Sequence, residues 1–121
     1  MNNKDLQRLE HMKEYIDKIN KSKKRFGAVF GTFENDPDYY QSVTMSLFQI
    51  GELSNNLTDD FKETTKDEIP WQSIRAVRNL FAHEYGKIDK ETIWNTLETD
   101  IPKLQRFCES IIDTEKLKEK E

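Results

Sequence analysis

Leu6, Leu9, Met12, Ile16 and Ile19 recur at three- and four-residue spacing with Lys, Glu and Asp between them, which predicts an amphipathic first helix. The pattern predicts that this helix fades near Ser22. Gly27 and Gly31 then punctuate a stretch of Phe26, Val29, Phe30 and Phe33 without a clear period, read as a loop or short helical turn with its aromatics on the core. Asp36-Pro37 opens a second helix, because Asp accepts from free N–H groups and Pro needs no donor in the first turn. Val43, Leu47, Ile50, Ser54 and Leu57 form its stripe. Gly51 within it reads as a point of close helix approach.

The polar segment 58–69 predicts a connection with one short turn. Pro70-Trp71 starts a third helix with Trp71, Ile74, Val77 and Phe81 inward, and Gly86 closes it. Asp89 caps a last helix carrying Ile93, Leu97, Ile101, Leu104, Cys108 and Ile111; Pro102 within that stripe predicts a kink or restart. The charged end of the chain is expected to fray. No run of strand-type alternation appears. The fold expected is all-α, an antiparallel bundle of four to five helices, with residues 1–115 as one domain and 116–121 as a charged tail.

The 121 residues are 35% hydrophobic and 35% charged, so a lone subunit has a thin core and an oligomer would add burial. No apolar run approaches the roughly 20 residues of a membrane span, and no apolar leader opens the chain; a cytoplasmic protein is expected. One cysteine and two histidines make no zinc pattern, so no metal or other cofactor is expected. A net charge of −4 argues against gripping long duplex nucleic acid by bulk electrostatics. The basic run Lys21, Lys23, Lys24 and Arg25 could meet a phosphate backbone, although such a run at a helix end is usually solvated. His11, Arg75 and Glu84 read as surface residues.

Cleaving RNA without a metal needs a proton acceptor for the attacking 2′-hydroxyl and a fixed cation at the phosphate. His and Arg suit those tasks. Arg78 and His83 are the pair close together on a predicted helix. At about 100° per residue, their five-residue offset leaves them roughly 140° apart on a straight helix. Either the helix loosens before Gly86, or a second subunit completes the site. Tyr85, two turns after Arg78, returns to its face.

The ordered set Arg78-x4-His83-x-Tyr85, with Ile69-Pro70-Trp71 before it, Gly86 and Ile93-Trp94 after it, and Ile50-Gly51-Glu52 upstream, resembles the HepT-type branch of the HEPN superfamily. The resemblance implies an all-helical HEPN bundle that forms a homodimer and joins two Arg-x4-His motifs in a cleft that cleaves RNA, tRNA or mRNA, without metal. It implies catalytic roles for Arg78 and His83 and supporting roles for Asn79 and Glu52. It further implies a partner, an MntA-like nucleotidyltransferase antitoxin that transfers AMP to Tyr85 and silences the toxin, as in a type VII-like pair. The alternative is a non-catalytic helical partner of such a nucleotidyltransferase.

Overall fold

The computed structural model of the chain describes residues 1–83 and 89–120, with backbone alone at 82 and 83. The first helix, α1 (Asn3–Phe26), begins where the Asn2 side chain accepts from the backbone N–H of Lys4 at 2.7 Å and of Asp5 at 3.3 Å. Leu9, Met12, Ile16 and Ile19 are fully buried along it. The expected fading near Ser22 does not occur. Ser22 is itself buried, its hydroxyl 3.0 Å from that of Ser42, and Phe26 stacks on Tyr39 at 5.0 Å, so the inward stripe continues one turn further. Gly27 ends the helix at φ 98°, donating to the Lys23 carbonyl.

The aromatic stretch that follows folds as α2 (Phe30–Asn35), with Phe33 fully buried against Tyr39, Tyr40 and Trp94. Asp36 caps α3 (Pro37–Asn55), accepting from Asp38 at 2.9 Å and Tyr39 at 3.2 Å, with Pro37 at the first position as expected. α3 runs antiparallel to α1. Phe26 meets Tyr39 at one end, Ser22 meets Ser42, Met12 meets Ser54, and Asp5 meets Thr58 at the other end. Asp5 is 1% exposed, although it lies in a charged stretch. Its carboxylate accepts from the Thr58 N–H at 3.0 Å and the Thr58 hydroxyl at 2.6 Å, and pairs with Arg8 at 3.3 Å. Thr58 in turn caps α4 (Asp59–Thr65) through Phe61.

α5 (Trp71–His83) buries Trp71, Ile74, Val77 and Phe81, and the Trp71 indole N–H donates to Thr65 at 2.9 Å. α6 (Lys90–Glu119) starts at the Asp89 cap and buries Ile93, Leu97, Ile101, Leu104 and Cys108. It does not restart at Pro102, and it runs into the charged end as far as Glu119. Pro102 removes one donor, while buried Ile101 and Leu104 on either side keep the helix seated. α6 lies antiparallel to α1, with Lys13 near Glu109, Asn20 on Gln105 and Lys23 on Glu98. Thus α1, α3, α5 and α6 form an antiparallel all-α bundle, and the short α2 and α4 seal two of its connections. Among the described residues there is no strand, and no helix is long and apolar enough to cross a membrane.

Two buried polar groups should respond to mutation with opposite signs. Asp5→Ala strands the Thr58 donors and should lower unfolding stability by about 2–3 kcal/mol. The Tyr39 hydroxyl has no partner among the described residues, so Tyr39→Phe should be neutral or stabilising. Urea denaturation of both variants measures the contrast.

Candidate active site

α5 reaches its position through an absence on α3. A Cβ built on Gly51 would lie 2.6 Å from the Arg78 Cβ and 3.1 Å from its Cγ, so the two helices approach here only because position 51 has no side chain. Packing against this bare backbone fixes the Arg78 stem. The next residue on α3, Glu52, accepts from the Arg78 Nε–H, and Arg78 Nη1 donates to Asn79 Oδ1 at 3.0 Å. The paired side chains keep 27% and 33% of their surface exposed, so the guanidinium sits at the mouth of the packing and not beneath it. Among the described residues, Nη2 and the second Nη1 hydrogen have no partner.

Three of the sequence-derived site residues, Arg78, Asn79 and Glu52, therefore come together. Backbone helicity continues through His83, so no loosening brings that position round within α5, and the offset of roughly 140° from Arg78 stands. The His83 side chain, Glu84, Tyr85 and the Gly86 turn lie outside the described residues. Arg75 is exposed, and His11 is exposed with Glu14 at 3.6 Å, in line with their reading as surface groups. A hollow of about 690 Å³ lies beside the start of α5, against Trp71, Ser73 and Arg75. It contains none of the expected site residues, and two of its cations are already engaged, Lys66 with Glu63 at 2.6 Å and Lys62 with Asp59 at 3.9 Å.

Sequence spacing alone did not reveal that Glu52 and Asn79 grip Arg78. The signal that could have found them is the Gly-Glu pair on α3, in which one residue admits a neighbouring helix and the next offers it a carboxylate.

The family description "Ribonuclease HepT-like" matches residues 12–111, which include Glu52, Arg78, Asn79, His83 and Tyr85. The chain belongs to the HepT-like ribonuclease family. It is 33% identical over 90 residues to a protein of Caldanaerobacter subterraneus named as a candidate RNase, covering 74% of this chain and 80% of that one. It is also 33% identical over 103 residues to a protein of Thermococcus cleftensis named "Probable ribonuclease HepT", covering 85% and 91%. A Methanocaldococcus jannaschii protein, also named as a candidate RNase, is 32% identical over 104 residues, covering 86% and 80%. No solved structure matches. This HepT-like chain is thereby placed among ribonucleases of the HEPN type.

Gly51→Ala tests the close approach. The added methyl group meets the root of Arg78 and should cost about 1–3 kcal/mol. Gly31→Ala, with nothing within 4 Å of the new Cβ, should be neutral or slightly stabilising. Chemical denaturation of the two variants side by side reads the difference.

Proposed function

We propose that this HepT-like protein is a metal-independent endoribonuclease, the toxin of a type VII-like toxin–antitoxin pair, in which Arg78 holds the scissile phosphate and His83 moves the proton. The observation that carries this reading is the clamped arginine. Glu52 and Asn79 hold the guanidinium in one orientation and, among the described residues, leave its other donors unpartnered, which suits binding of a phosphate whose charge grows in the transition state. His83 takes the proton of the 2′-hydroxyl as that oxygen bonds to phosphorus. The P–O5′ bond breaks, and a proton reaches the leaving oxygen. The products are a 2′,3′-cyclic phosphate and a 5′-hydroxyl end.

A homodimer completes the site in this reading, because positions 78 and 83 stand on different sides of one continuous helix. Arg78 of one subunit would then serve with the partner's histidine. Control falls to Tyr85. AMP attached there by an MntA-like nucleotidyltransferase adds a phosphodiester that pairs with Arg78 and an adenosine that fills the cleft, so RNA is excluded by charge and by volume.

Cleavage of total RNA and tRNA by the wild type should persist in EDTA. Arg78→Ala and His83→Ala should each reduce it by about 10²–10⁴-fold with the fold retained. Activity that survives both substitutions, or that EDTA abolishes, sinks the mechanism. For control, intact mass after incubation with ATP, magnesium and the nucleotidyltransferase should gain AMP on the wild type. The Tyr85→Phe variant should gain none; additions that persist on it would exclude Tyr85 as the acceptor.

A further inference from the structure

α3 carries one open stripe. Asp38, Ser42 and Met45 are exposed, Gln49 and Glu52 are half-buried, and all of them fall within an arc of roughly 80° on the helix. α1 borders this stripe on one side, through Ser22 on Ser42 and Phe26 on Tyr39. α5 borders it on the other, through Arg78 at Gly51 and Phe81 edge-on to Phe48. The stripe is thus the floor of a shallow track whose α5 wall contains Arg78.

The α1 wall is cationic. Lys18, Lys21 and Arg25 are exposed, and their three- and four-residue spacing sets them on one face of α1. Lys21 and Arg25 line a hollow of about 260 Å³ together with Asp38 and Ser42. None of the three cations forms an ion pair among the described residues. Lys18 lies over the Tyr15 ring and Arg25 over the Phe26 ring, and Lys21 has no partner there. Lys23 is different, being committed to Glu98 at 3.1 Å and to the face of Trp94.

Favourable placement of cations at a helix C-terminus accounts for the last turn, with Lys23, Lys24 and Arg25. It does not account for Lys18 and Lys21, because the dipole effect fades beyond that turn. In a chain of net charge −4, an unpaired cationic row beside the Arg78 track is an electrostatic footprint for a polyanion.

We infer that the RNA strand cleaved at Arg78 runs along the α3 stripe and that Lys18, Lys21 and Arg25 hold its phosphate backbone. This rests on the reading of Arg78 as the cation at the scissile phosphate. From Asp38 and Ser42 to Glu52 the helix rises about 15–21 Å. At the roughly 3.4 Å per nucleotide of a stacked strand, that places the far end of the grip about four to six nucleotides from the cut.

The test uses the full chain and uncleavable single-stranded RNA, fully 2′-O-methylated, at about three and about ten nucleotides, titrated by fluorescence anisotropy across a salt series. Two triple variants remove equal charge: Lys18→Gln, Lys21→Gln, Arg25→Gln on the track, and Lys116→Gln, Lys118→Gln, Lys120→Gln at the far end of α6. A single strand releases about 0.7 counterion per phosphate neutralised, so the track variant should flatten the salt dependence of log affinity by about 2 on the longer RNA. On the shorter RNA, which from Arg78 reaches no further than Lys18, the flattening should be at most about 0.7, and the α6 variant should match the wild type on both. Equal flattening in both variants, or equal flattening on both RNAs, overturns the track. Cleavage by Arg78→Ala is assayed separately, so a failure of the reaction centre is distinguishable from a failure of the track.

Discussion

The position of Arg78 depends on how closely α5 approaches α3 at Gly51. The missing Cβ brings the backbone of one helix against the stem of Arg78, and the adjoining Glu52 then meets the guanidinium. With both side chains about a third exposed, such an ion pair contributes little to stability, of the order of 0–1 kcal/mol. Its larger effect is orientation. An arginine free to sample its rotamers would lose side-chain entropy on meeting a phosphate, whereas one already held by Glu52 and Asn79 has lost much of it on folding.

The same economy of local features explains which parts of the structure were legible from sequence. Asp36-Pro37 and Asp89 announced helix starts because capping is a matter of a few adjacent residues. The Trp71, Ile74, Val77, Phe81 stripe announced α5 because periodicity is local too. Gly51 signalled a close approach without naming the neighbour. What escaped was non-local. Asp5 looks like one more surface carboxylate until Thr58, 53 positions away, folds onto it. Ser22 looks like the end of an apolar stripe until Ser42 supplies its partner. Pro102 suggests a restart that the packing of Ile101 and Leu104 prevents, because propensity carries no account of the neighbours that hold α6 through it.

For the candidate site the division is similar. Arg78 and His83 could be chosen by chemistry, and the offset between them could be calculated from helical geometry alone. Glu52 and Asn79 entered through resemblance, and their physical role emerged only when α3 and α5 were set side by side. The basic run was legible as composition but not as a surface. Within it the fold separates Lys23, which fastens α1 to α6, from Lys21 and Arg25, which line a hollow with Asp38 and Ser42 of α3.

α3 is therefore the common reference for two features that sequence separates widely. It fixes Arg78 through Gly51 and Glu52, and it fixes the cationic face of α1 through Ser42 and Tyr39. The spacing between an RNA grip and a reaction centre built this way is set by the register of α1 on α3. That register is pinned at one end by the Asp5 carboxylate on Thr58 and at the other by Phe26 stacked on Tyr39. A slip of one helical turn would move the cations by about 5.4 Å, more than one nucleotide of a stacked strand, and would also strand a buried carboxylate. The Asp5–Thr58 staple thus holds the spacing between the cationic face of α1 and Arg78, because the penalty for an unpaired buried charge makes every other register costly.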